Sequence, residues 1–182
     1  MTKLFAAVRL ARLMLRSSVY RAYLRLAHPG VRCHPSVRFG RGAIVQAFAG
    51  GRADIGAGTR IDDGAFVRVE GGRLTIGQDC LIGRGAVVVC VAELEIGRGT
   101  LIAEHVTIRD QDHRHQGNDA LDRQGIISSP IRIGHDVWIG AKVTVTRGVS
   151  IAPHAVVAAN AVVTRSLDER AVYGGIPARR LK

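Results

Sequence analysis

The stretch IGRGTLIAEHVTI, residues 96–108, resumes after a gap as IGHDVWIGAKVTVTRGVSIAPHAVVAANAVV, residues 133–163. An Ile or Val stands at every sixth position: Ile96, Ile102 and Ile108, then Ile133, Ile139, Val145, Ile151, Val157 and Val163. A fixed period is the mark of a scaffold made of stacked units. Its one long interruption holds Arg109-Asp110-Gln111-Asp112-His113-Arg114-His115 and a polar run to Ser129. Chemistry is expected on that interruption, because a rigid repeat positions loops and loops carry function.

Working outward toward the N-terminus, the same grid takes in Cys33, Phe39 and Val45, then Ile55, Ile61 and Val67, then Ile76, Ile82 and Val88. Extra residues enter only after every third member: four, then three, then two, then nineteen. Three hexads therefore close one triangular coil, and every insertion leaves from the same edge. Amphipathic helices would need spacings of three and four, and ordinary strands a spacing of two. The period predicts an all-β chain, a parallel β-helix of about six coils with Ile and Val stacked in an apolar bore. Ala53, Ala65, Ala86, Ala155 and Ala161, two places before an aliphatic, suit its cramped interior. Gly56, Gly77, Gly83, Gly97, Gly134 and Gly140 follow the aliphatic, where tight corners are expected to need unusual backbone angles.

Stacked coils cannot bury their own ends, so caps are required. Residues 1–30 supply a helix, in which Leu4, Val8, Ala11, Leu15, Val19, Ala22 and Leu26 form one apolar stripe. Lys3, Arg9, Arg12, Arg16, Arg21 and Arg25 fall off it, and Pro29-Gly30 ends it. The stripe is expected to pack on the scaffold or a neighbouring subunit, or to lie on an anionic membrane surface. The expected organisation is thus this helix, the β-helix over 31–165 with a protruding loop at 114–129, and a C-terminal cap over 166–182.

With 47% apolar residues but only 4% aromatic, the core must be built from Ile, Val, Leu and Ala. A formal net charge of +11 implies an anionic partner. Nucleic acid is not expected, since no base-reading element or stacking aromatics follow the helix. Cys33, Cys80 and Cys90 are odd in number and lack CxxC spacing, which disfavours a disulfide framework or zinc ribbon. No apolar run has the roughly 18 residues that span a bilayer, and Arg9, Arg12 and Arg16 interrupt any secretory leader. The expected location is cytoplasmic, peripheral to the inner membrane face if the helix binds lipid.

Hexads beginning Ile-Gly resemble those of the hexapeptide-repeat acyltransferases, which form left-handed parallel β-helices. Residues 130–141 (PIRIGHDVWIGA), 162–165 (VVTR) and 175–179 (GIPAR) further resemble the galactoside, maltose and exopolysaccharide O-acetyltransferase branch. The resemblance implies acetyl-CoA as donor, no metal, and a homotrimer with active sites between neighbouring prisms. It implies a histidine base at the start of the loop, which falls on His113. The coenzyme contacts it implies fall on Ala141 and Ala159, and its phosphate pocket on Thr164 and Arg165, with Arg179 and Lys182 nearby. Trp138 is expected to wall the coenzyme or acceptor cleft. Where that branch holds its sugar with an asparagine and acidic groups, Val89-Cys90-Val91-Ala92-Glu93 stands here with no asparagine, so its sugar-binding residues are not carried over.

The chemistry agrees from below. An imidazole with an unperturbed pKa of about 6.5 is suited to take a proton from an attacking group, and such bases typically give about 10²–10⁴-fold. Arg165, Arg179 and Arg180 form a basic rim suited to the coenzyme phosphates. Asp110 and Asp112 are the candidates to orient His113, and His115 is its alternative. Arg147 and Arg170 read as solvated charges. The expected reaction is O-acetylation of a sugar or lipid-linked saccharide for exopolysaccharide or lipopolysaccharide. N-acetylation of an amino sugar and a non-catalytic membrane scaffold are its rivals. A zinc site from His105, His113 and His135, as in carbonic anhydrases of this architecture, does not match in spacing.

Overall fold

The computed structural model describes residues 2–181, except for the side chains of residues 2–6 and Arg9. Lys3, Leu4, Arg9 and the candidate Lys182 therefore lie outside the described side chains. One helix, α1 (Thr2–Ala27), is followed by strands of two to five residues. They assemble into three parallel sheets of short rungs. The first sheet runs from Val31–Cys33 to Ser150–Ile151, the second from Arg38–Phe39 to Val156–Val157, the third from Ile44–Phe48 to Val162–Val163. The fold is a left-handed parallel β-helix of about six coils.

Register follows the hexad grid. Cys33 lies beside Ile55, then come Ile76, Ile96, Ile133 and Ile151. Phe39, Ile61, Ile82, Ile102, Ile139 and Val157 form the second column, and Val45, Val67, Val88, Ile108, Val145 and Val163 the third. Every hexad-opening residue is buried except Cys33, which is half-buried. The five alanines of the interior are buried too. Each aliphatic contributes about 1.5–3 kcal/mol on leaving water. The three cysteines are free thiols.

The glycines after the aliphatics work differently from expectation. Positive φ falls two residues later, at Gly58, Asp79, Gly85, Gly99, Asp136 and Lys142. The glycines themselves are needed for closeness between coils: a Cβ on Gly97 would sit 2.5 Å from the Gly134 carbonyl carbon, and one on Gly56 2.6 Å from that of Gly77. The corner thus separates two requirements, close approach first and the left-handed turn afterwards.

The helix corrects a second expectation. The apolar stripe does not pack on the scaffold: Val8, Leu15, Val19 and Leu26 are exposed, Leu26 at 87%. The opposite face, with Ser17 and Leu24 buried and Tyr20 half-buried, covers the first coil. Its contacts are largely polar, because the coil's lower edge presents unpaired main-chain groups that must be satisfied. Phe39 N–H donates to Ser17 Oγ at 3.0 Å and Val45 N–H to the Tyr20 hydroxyl at 2.9 Å. Arg16 donates to the Phe39 carbonyl at 2.9 Å and Arg21 to that of Val37 at 2.8 Å. At the other end, Leu167 bridges to Ile151, and Val172–Gly174 adds a rung above Val156–Val157. Among the described residues no helix is long and apolar enough to cross a membrane.

Candidate active site

The three edges of the prism carry different chemistry. The loop edge, between the third and first sheets, gathers all the insertions. Asp110 opens the long one and is fully buried. Its carboxylate accepts the Val91 N–H at 2.8 Å and the Ala92 N–H at 2.8 Å, both from the corner of the preceding coil. The Asp110 carbonyl accepts Ser129 N–H at 2.9 Å, closing the loop's base. From there Gln111–His113 pairs antiparallel with Ile126–Ser128, His113 opposite Ile126. Gln124 ties the tip, accepting from Gly117 N–H at 3.0 Å and donating to the Asp119 carbonyl at 2.6 Å. The loop expected at 114–129 is therefore a hairpin whose strands begin earlier, at Gln111.

His113 stands exposed in a pocket of about 850 Å³ with Asp112, His115, Gln116, Leu121 and Arg147. Neither carboxylate proposed to orient it is engaged with it. Asp110 is committed to Val91 and Ala92, and Asp112 accepts from Arg147 Nε at 2.9 Å. Arg147 is thus a partner in the pocket wall, not a solvated charge, and sequence spacing alone had no signal for this pairing across coils. His115 Nδ1 lies 3.4 Å from the His113 carbonyl oxygen, a contact within the hairpin. Beneath the loop, burial pushes the Cys90 thiol up to about 12, reinforced by the Asp110 charge and its hydrogen bond to that carboxylate.

The groove edge lies between the second and third sheets. Trp138, Ala141 and Ala159 come together there with Glu104, Val156 and Ala158, around a groove of about 420 Å³. Trp138 is 55% exposed, between Leu101 and Val156 in register. Arg179 pairs with Gly174, which packs against Ala158, so the tail carries this arginine to the top of the groove column. Thr164 and Arg165 are exposed and follow Val162–Val163, which places them on the loop edge, above Thr146 and Arg147. Within one chain, then, His113, Thr164 and Arg165 share one edge, and Trp138, Ala141 and Ala159 share another.

His105 belongs to the groove edge, His113 to the loop edge and His135 to the third edge. The zinc arrangement weighed from sequence therefore cannot converge. His135 instead meets Asp136 and His154, with ligand atoms within 4.8 Å of one another and the two rings edge-to-face. Asp136 accepts from His135 Nδ1 at 2.9 Å, which holds its carboxyl below the usual range. This exposed trio is the one set among the described residues with donors suited to a divalent cation.

A family model for the bacterial transferase hexapeptide (six repeats) matches residues 130–165, and one for the hexapeptide repeat of succinyl-transferase matches residues 73–103. The probable acetyltransferase Rv3034c of Mycobacterium tuberculosis is 34% identical over 87% of this chain and 53% of its own length. The putative lipopolysaccharide biosynthesis O-acetyl transferase WbbJ of Escherichia coli is 38% identical over 52% of this chain and 53% of its own. The chain spans about half the length of these curated relatives. Among solved structures, a variant of the N-acyltransferase AntD from Bacillus cereus covers 90% of this chain and 88% of its own at a TM-score of 0.74 and 22% identity. The hexapeptide-repeat containing acetyltransferase VCA0836 from Vibrio cholerae covers 96% and 88%, at 0.55 and 25%. With its hexads stacked in register and two hexapeptide models matching residues 73–103 and 130–165, the chain carries over those residues the hexapeptide repeat found in bacterial transferases.

Proposed function

We propose that the protein is a coenzyme A-dependent acyltransferase acting on a saccharide, assembled as a homotrimer with His113 as its base. One observation carries this reading: the histidine and the groove occupy different edges of the same prism. A neighbouring prism, turned by the symmetry of a closed ring, brings the loop edge of one chain to the groove edge of the next. The acyl-coenzyme lies along Trp138, Ala141 and Ala159, with Arg179 toward its phosphates. Among the described residues the Ala141 and Ala159 N–H groups have no protein acceptor, leaving two main-chain donors for an extended amide ligand.

The acceptor's nucleophilic atom attacks the thioester carbonyl carbon while His113 takes its proton. The carbon–sulfur bond then breaks, and the proton passes to the departing sulfur. Holding both substrates in one crevice contributes more than the base does.

Two readings of the acceptor atom have support. AntD was solved with dTDP-4-amino-4,6-dideoxyglucose and coenzyme A, and it matches nearly the whole chain. This favours the amine of an amino sugar over the hydroxyl expected from the sequence. WbbJ and the galactoside O-acetyltransferase of Escherichia coli, 31% identical over 115 residues, keep the hydroxyl as the second reading. Thiol release from acetyl-CoA, measured with amino-sugar nucleotides and their hydroxyl counterparts, separates the two. His113→Ala should lower turnover about 10²–10⁴-fold with coenzyme binding retained. Absence of coenzyme binding by calorimetry would leave the non-catalytic scaffold, and full activity in His113→Ala would remove the assigned base.

A further inference from the structure

The first acidic residue of the chain is Asp54, and the 53 residues before it carry ten Lys and Arg. The formal charge there is +10 of the whole chain's +11. All of it belongs to α1, the first coil and the start of the second, that is, to one end of the solenoid. Arg12, Arg25, Arg32, Arg41 and Arg52 are exposed. On the same end lies the unpartnered face of α1, where Val8, Leu15, Val19 and Leu26 form an exposed line flanked by Arg12 and Arg25. From Val8 to Leu26 that line is about 27 Å long.

We propose that this end docks the protein onto an anionic lipid bilayer, with α1 flat in the interface and the solenoid standing upright on it. The helix cannot turn its stripe inward. Ser17, Tyr20, Arg16 and Arg21 are bonded to main-chain groups of the first coil, which fixes the apolar line outward. A helix of this kind, apolar along one line and arginine-flanked, rests in the headgroup layer with its arginines reaching the lipid phosphates. Charge decides between a bilayer and a second copy as the occupant. Another copy of this end offers the same arginines and no carboxylate before Asp54 to pair with them. An anionic leaflet complements it, each nearby arginine contributing about fivefold in affinity.

The docking does not depend on the acyl-transfer reading, but its consequence for the acceptor does. The hairpin leaves the fourth coil, three rung spacings above the first, so His113 stands roughly 25 Å above the lipid once the helix thickness is included. An acceptor reached at that height is a saccharide borne on a lipid through several polar units, not the unit next to the lipid.

Co-sedimentation with phosphatidylcholine vesicles, with and without phosphatidylglycerol, tests the docking. Wild type should bind only the anionic vesicles and leave them in high salt. The Leu15→Glu, Val19→Glu double variant should bind at least tenfold more weakly, with unchanged mass by light scattering and unchanged turnover of a soluble acceptor. Arg25→Glu with Arg41→Glu should weaken binding by roughly 25-fold or more. Tryptophan placed by Val19→Trp should be quenched by brominated lipids, whereas the native Trp138 should not. No binding by wild type, or no quenching at position 19, overturns the proposal. A fall in mass of the double glutamate variant overturns it as well, since the stripe then seats another copy.

Discussion

The carboxylate of Asp110 and the main-chain N–H of Ala92 meet at 2.8 Å across the loop edge, joining two consecutive coils at the root of the hairpin that carries His113. Asp110 also holds the Val91 N–H at 2.8 Å, so one buried side chain closes the corner below and starts the loop above. Removing it strands two donors. Asp110→Ala should cost about 2–3 kcal/mol in urea unfolding. Turnover should fall further than coenzyme affinity, because the groove is on another edge while the hairpin loses its anchor. A variant of wild-type stability would show that Val91 and Ala92 find other acceptors.

The neighbouring thiol gives a pH test. Cys90 has its pKa raised from 9.0 to about 12, first by burial and then by Asp110. A raised folded-state value means the folded protein holds the proton more tightly than the unfolded chain does. Stability from the neutral thiol is therefore full below pH 9 and is lost as pH climbs toward 12. Against Cys90→Ala, the wild-type stability difference should be flat below pH 9 and decline above it. In native protein at pH 9, Cys90 should also resist alkylation under conditions that modify an unfolded control. Ready labelling would contradict the assigned burial.

Arg147 and Asp112 form a partly exposed pair, with side chains 35% and 60% accessible. Such pairs contribute under about 1 kcal/mol, so Arg147→Ala should melt almost as wild type. Both residues nevertheless line the pocket around His113. Turnover should fall by roughly tenfold through lost positioning of the hairpin strand, and Arg147→Lys should recover only part, since the Nε contact is not reproduced. A large stability loss with unchanged turnover would assign the pair to the scaffold alone.

The bore was legible because inward side chains in a triangular coil repeat every sixth residue whatever lies between turns. Ile96 and Ile133 keep register despite the hairpin separating them. The helix was legible as a helix but not in its orientation. An apolar stripe signals burial against other apolar surface, whereas the solenoid's open end is an edge of main-chain donors and acceptors. Ser17, Tyr20, Arg16 and Arg21 answer that edge, and they follow no hydrophobic period. The role of Asp110 was out of the sequence's reach for a related reason. Its partners stand 18 and 19 residues earlier and are backbone groups, which leave no trace in side-chain identity.

The separation of His113 from the Trp138, Ala141 and Ala159 groove bears on assembly in a way that can be counted. Suppose one chain carries His113→Ala with an intact groove and a second carries Ala159→Trp, filling the groove at an exposed corner, with its histidine intact. Each homotrimer alone should be inactive. If a working site takes its base from one prism and its groove from the next, random co-assembly of equal amounts makes about one site in four complete. Co-expressed chains should then recover roughly a quarter of wild-type turnover, while the same chains purified separately and assayed without exchange should recover none. Were base and groove to act within a single chain, mixing would restore nothing. Failure of mixed trimers verified by mass spectrometry would therefore break the link between the loop edge and the groove edge on which the proposed catalysis rests.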